Sequence, residues 1–154
     1  MEYLTVKWLH ILSSTILFGT GIGSAFYMLA ATMTRDARAV AVTARHVVLA
    51  DWLFTTPTII LQPLTGFYLM MLAGMPMSSR WIAWSLILYG IAVLCWLPVV
   101  WLQIRMRQSA AAAAEAGRPL DAQYWRLFRL WFALGWPAFL AFLGVFYLMV
   151  FKPA

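Results

Sequence analysis

In the second apolar stretch of the chain, Asp51, Thr55, Thr58, Gln62 and Thr65 succeed one another at spacings of four, three, four and three. At about 100° per helical residue, these five side chains fall on one narrow stripe of a helix. Their neighbours are mostly Leu, Ile, Phe and Trp, so the stripe lies in a segment otherwise suited to lipid. A polar group in hydrocarbon is costly unless it meets a partner, a cavity or a ligand, so the stripe marks the inward face. Asp51, at its start, calls for a cation. Arg45, Arg105 and Arg107 approach the same side, which gives a structural ion pair as one reading and a proton or cation relay as the other. Asp51, Thr55 and Gln62 could also form an internal path for an ion or metal.

The first apolar stretch carries His10, with Ser14, Leu17 and Gly21 on the same helix face. A histidine with a bare glycine surface on its face suits a flat macrocycle, the imidazole as ligand and the glycine as clearance for the ring edge. The cofactor candidates are therefore His10 as ligand to the iron of haem b or to a porphyrin, with Ser14, Gly21, Gln62 and Thr65 around it. The alternatives are a plain hydrogen bond from His10 to the Gln62 region, or another metal or proton role. Thr15, Gly19 and Gly23 form a separate line of small residues suited to close helix packing. Met70, Met71, Met75 and Met77 read as lipid-facing filler, with Cu(I) ligation as the alternative. Cys95 reads as a packing residue.

The elements that hold these groups are set by composition. Of 154 residues, 64% are hydrophobic and 10% charged, against about a quarter charged in an ordinary soluble domain. Four apolar runs, 3–33, 47–72, 81–104 and 127–151, each exceed the roughly 20 residues that cross ~30 Å of hydrocarbon. The fold class is all-α, a polytopic membrane protein forming a bundle of four transmembrane helices. It reads as a single domain over 1–154, with helices at about 3–33, 36–73, 79–116 and 121–152. Asp36 and Asp121 are placed to cap the second and fourth helices, and Ser78 or Ser79 the third. Gly117 and Pro119 end the third. The first run is too long for a cleaved signal peptide, and Lys7 lies within it rather than ahead of it.

Charge gives orientation. Arg35, Arg38, Arg45, Arg105, Arg107, Arg118, Arg126 and Arg129 flank two of the connections, whereas the opposite side has Lys7, Arg80 and Lys152. Eight basic residues against three place both termini in the periplasm and both basic connections in the cytoplasm. The net charge of +6 is thus topological, with some attraction to anionic headgroups, and gives no case for nucleic acid.

Depth decides which polar groups can meet. At ~1.5 Å per residue, His10 and the segment 62–65 both lie ~10–15 Å from the outer ends of their helices. His46 sits at the cytoplasmic mouth of the second helix, roughly 20 Å or more from His10. The two histidines therefore do not share one haem within a subunit. Pro57, Pro63, Pro98 and Pro137 each remove a backbone donor and free a carbonyl inside a helix. Trp52, Trp96, Trp131 and Trp136 lie deep enough to line a pocket or simply to pack.

The strings VKWLHILSSTILFGTGIG, VVLADWLFTTPTIILQPLTG, WLPVVWLQIRMR and YWRLFRLWFALGWPAF resemble the bacterial integral-membrane family of domain of unknown function 2269. That resemblance covers nearly the whole chain and implies four membrane helices in a bacterial inner membrane. A looser one links the first two helices to the HemJ-type protoporphyrinogen oxidases and the CopD copper-resistance proteins. Lys7 and His10 match the Lys-x-x-His opening that serves haem binding in the HemJ type. The third helix departs. Where that type has a His and Lys pair, this chain reads Arg80, Trp81, Ile82, Ala83, Trp84 and Ser85, so the resemblance implies haem or porphyrin contact rather than oxidase chemistry.

Three functions are left open. They are a haem-b or redox-linked membrane protein, a small ion or metal transporter, and an accessory subunit whose stripe pairs with a second copy or another membrane protein. No nucleophile–base pair, phosphate loop or multi-ligand metal motif is present, which argues against a hydrolytic enzyme and leaves no catalytic residue assigned.

Overall fold

The computed structural model describes residues 1–76 and 78–153; Met77, one of the methionines near the outer turn, lies outside them. Among the described residues there is no strand. The described residues form four helices, each long and apolar enough to cross a membrane: α1 (Glu2–Thr34), α2 (Ala37–Leu72), α3 (Arg80–Glu115) and α4 (Ala122–Phe151). A 36-residue helix is ~54 Å long, so α2 and α3 outreach ~30 Å of hydrocarbon and extend beyond it.

The helix ends follow local chemistry. Asp36 accepts the Arg38 N–H at 2.9 Å and Asp121 accepts the Tyr124 N–H at 2.7 Å, each supplying an acceptor to a free first-turn donor. Ser79 holds the cap position of α3, but its hydroxyl donates back to the Pro76 carbonyl at 2.9 Å instead of capping. Gly117, at φ +61, closes α3 while the Arg118 N–H returns to the Ala113 carbonyl at 2.9 Å.

The end of the bundle that carries the two basic connections is tightly packed. Met28, Val40, Met106 and Tyr124 are fully buried there, with Ala44, Ala110 and Ala113 letting α2 and α3 approach. The one polar link in this core is complete. The Thr32 hydroxyl donates to the Met28 carbonyl at 2.8 Å and accepts from the Tyr124 hydroxyl at 2.7 Å.

Toward the chain termini the bundle resolves into two antiparallel pairs, α1 with the second half of α2, and α3 with α4. Two features bridge them. Phe18 of α1 stacks on Phe139 at 5.9 Å and meets Phe146 edge-on at 5.1 Å. Pro63 has no N–H for the Ile59 carbonyl, and the Tyr89 hydroxyl of α3 takes that oxygen at 2.5 Å. Within the second pair, Gly144 faces Leu88 so closely that a Cβ there would lie 2.8 Å from Leu88 Cδ1.

The line of small residues on α1 behaves otherwise than expected. Gly19 and Gly23 have nothing within 4 Å of where a Cβ would stand, so among the described residues no helix approaches these two glycines closely. The face that α1 buries is the one carrying Ser13, Leu17, Met28 and Thr32, whose larger side chains fill the space between helices.

Candidate functional site

Pro57 shapes the middle of α2. It cannot donate to the Leu53 carbonyl, and a proline ring in a regular helix collides with the carbonyl four residues back. The helix widens into one π turn over Asp51–Thr55, where the Thr56 N–H reaches the Asp51 carbonyl. Hydroxyls stitch this turn together. Thr56 Oγ1 donates to the Asp51 carbonyl at 2.9 Å, and Thr58 Oγ1 spans the carbonyls of Phe54 at 2.6 Å and Thr55 at 3.0 Å. Such wide turns recur at functional positions of helices.

Beyond this turn, the five-residue stripe serves two different neighbours. Asp51, Thr55 and Thr58 are buried, and Gln62 and Thr65 half-buried. Gln62 and Thr65 face α1. The Gln62 amide donates to the His10 carbonyl at 2.8 Å and to Ser13 Oγ at 2.5 Å. His10 Nδ1 lies 2.7 Å from Thr65 Oγ1. The single Thr65 proton goes to the Leu61 carbonyl at 2.6 Å, so Thr65 accepts from an Nδ1–H of His10. In that tautomer Nε2 carries the lone pair, and among the described residues no hydrogen bond is made to it on this half-buried side chain. Gly66 provides the bare surface beside the imidazole: a Cβ there would lie 3.4 Å from His10 Cε1.

The other haem candidates are placed elsewhere. Ser14 returns its hydroxyl to the Ile11 carbonyl at 2.7 Å. Gly21 lies about 16 Å further along α1 by helical rise and lines a different space. His46 is exposed at the basic end, with Nδ1 at 2.9 Å from the Val42 carbonyl.

That different space is a cleft of about 360 Å³ between the two helix pairs. Its walls are largely aromatic and aliphatic, with Phe18, Phe132 and Phe139 among them, and Asp51, Thr55 and Gln103 bring polarity to it. Asp51 is 4% exposed, and its Oδ1 accepts the Thr55 hydroxyl at 2.9 Å. Gln103 of α3 stands beside the same carboxyl. Four buried polar atoms remain without a hydrogen bond: Asp51 Oδ2, Gln103 Oε1, Trp96 Nε1 and Trp131 Nε1. All four belong to residues lining this cleft.

The ion pair expected of Asp51 is not formed. Among the described residues, no cation stands in contact with its carboxyl. Arg45 and Arg105 are exposed, and the Arg105 guanidinium sits over the Trp101 ring at 5.8 Å. Long basic side chains at a helix end extend toward water and headgroups, whereas Asp51 lies a turn deeper in the apolar run. Nor do the described residues hold three clustered His, Cys, Asp or Glu side chains for a metal ion.

Sequence reasoning did not single out Gln103, although an amide between Leu102 and Ile104 in an apolar run is a readable signal. The π turn was not anticipated either; Pro57 six residues after Asp51 was its only trace. Trp96 and Trp131 were pocket candidates and do line the cleft, as does Trp136. Trp52 is exposed and turns away.

Among the described residues, four helices long and apolar enough to cross a membrane, packed around an apolar cleft, define an integral membrane protein of the multi-pass class. The chain belongs to the predicted integral membrane protein family DUF2269, whose model matches residues 4–153. No curated protein and no solved structure matches the chain, and the expected likeness to the HemJ and CopD types is not shown by these comparisons.

Proposed function

We propose that the protein binds a small molecule inside the bilayer, in the cleft at Asp51, and works as a small transporter or as the binding subunit of a membrane complex. The observation that carries this reading is that four residues, each with a buried polar atom lacking a hydrogen bond, all line one apolar cleft. Buried polar groups in proteins nearly always have partners, and in hydrocarbon the cost of lacking one is higher still. Sites for small molecules typically combine apolar walls with a few convergent polar groups in volumes of ~300–1,000 Å³. Thr55 orients the carboxyl from one side and leaves Oδ2 for the ligand. The test is saturable binding of an amphipathic probe to the purified protein in micelles, lost when Gly135, on the cleft wall with nothing within 4 Å of where a Cβ would stand, is replaced by Leu to fill the space. Absence of saturable binding discards the reading and leaves the stripe to pair with a second chain.

A second reading draws on His10. With Nδ1 held by Thr65, the free Nε2 is oriented as a ligating imidazole is, its other nitrogen fixed by a hydrogen bond. A haem b or porphyrin ring there would sit outside the Asp51 cleft, against the surface of α1 and α2, with Gly66 rather than Gly21 beside it. A purified preparation from haem-replete cells decides the matter. A Soret band lost in His10→Ala and kept in His46→Ala supports it, and no Soret absorbance in the wild type removes it.

The location that fits the charge asymmetry is the bacterial inner membrane, with both termini periplasmic. Single cysteines introduced at Ser78 and Gly117, in a chain with Cys95 replaced, should label from the periplasm and the cytoplasm respectively. The opposite pattern inverts the topology.

A further inference from the structure

The chemistry of the cleft goes further than its existence, and the geometry points to a protonated lipophilic amine as the class of ligand it takes, an ammonium on a flat apolar body. This rests on the cleft being a binding site.

The unpaired atoms sort into two kinds. Asp51 Oδ2 and Gln103 Oε1 are acceptors on two residues whose side chains meet, the Gln103 amide being a hydrogen-bonding neighbour of the Asp51 carboxyl. An ammonium with two or more N–H groups has donors for both acceptors and supplies the cation that no arginine among the described residues brings to Asp51. The surrounding rings add to the preference. Trp96, Trp131, Phe132 and Phe139 line the same cleft, and aromatic faces attract a cation, more so when water is excluded. Trp96 Nε1 and Trp131 Nε1 are donors without acceptors, which an ether, carbonyl or hydroxyl oxygen on the ligand body would meet.

Other occupants match fewer of these groups. A bare metal ion would find one carboxylate and no cluster of ligands among the described residues. A neutral flat molecule such as a quinone would satisfy the indoles and leave the carboxyl alone. An acyl chain would satisfy none of the four atoms.

The experiment compares two molecules of one shape. Protonated 2-(1-naphthyl)ethylamine and neutral 1-ethylnaphthalene are titrated by calorimetry into the full-length protein in micelles at pH 7, with empty micelles as the blank. The amine should bind saturably and at least tenfold more tightly than the hydrocarbon. Asp51→Asn should weaken the amine by tenfold or more and leave the hydrocarbon unchanged. Equal binding of both molecules to the wild type overturns the amine class while leaving the cleft a binding site. If neither of these, nor 1,4-naphthoquinone, binds saturably, both the class and the binding cleft fall. The comparison on the wild type stands whether or not Asp51→Asn folds.

Discussion

Two polar assemblies in this bundle are built to opposite ends. In the packed region at the basic end, Thr32 and Tyr124 form a closed chain in which every proton has an acceptor: Tyr124 donates to Thr32, and Thr32 to the Met28 carbonyl. Both residues are fully buried, and nothing is left over for a ligand. Along the cleft, Asp51, Gln103 and Trp131 are buried and Trp96 half-buried, yet each keeps a buried polar atom without a partner. A closed network rigidifies a core, whereas an open one carries a cost that only an incoming partner removes. The contrast separates the part of the molecule that holds the fold from the part available for function.

The largest effect expected on that comparison lies in the closed region. Met106 is fully buried against α2 and α4 residues, so Met106→Ala should cost about 2–5 kcal/mol of stability, the usual range for such a truncation. Unfolding of the purified protein in micelles measures it. A loss below about 1 kcal/mol would mean that this end is loosely packed and the contrast is unsound.

A smaller effect is expected where the two helix pairs are tied above the cleft. Tyr89→Phe strands the Ile59 carbonyl that Pro63 has already deprived of its helical donor. The expected loss is about 1 kcal/mol, within the range for interhelical hydrogen bonds in membranes. If ligand binding in the cleft weakens while stability holds, the tie sets the shape of the cleft rather than the strength of the bundle.

Much of this architecture is legible in the residues themselves. Four long apolar runs require four helices, and counting rise per residue from the helix ends is enough to bring His10 level with Gln62 and Thr65. The helix caps at Asp36 and Asp121 follow from residue type alone. What periodicity misses is the break in the period. A stripe drawn at a constant 100° per residue assumes a regular helix, and the π turn at Asp51–Thr55 invalidates that assumption across the middle of α2. The single inward face then becomes two, one turned to α1 and one to Gln103. The spacing of Gly21 from His10 misleads for a related reason. Sharing a helix face does not bring two residues within reach of one ligand when they lie three turns apart. The cation expected at Asp51 failed on side-chain direction, since proximity in depth does not tell which way an arginine extends.

The smallest effect is the most informative. Were Asp51 half of a buried ion pair, Asp51→Leu would strand the cation and cost about 3–5 kcal/mol. No such cation is present among the described residues, and the carboxyl already has one oxygen unpaired. Replacing it by an aliphatic side chain of similar size removes a buried carboxyl that lacks a cation, which offsets the contacts that the Thr55 hydroxyl and the Gln103 side chain lose. Asp51→Leu should therefore leave the unfolding midpoint in micelles unchanged or slightly raised while abolishing binding of the amine probe. A drop of several kcal/mol would show that Asp51 supports the fold, and the division between a closed structural region and an open functional one would then fail at the residue that defines it.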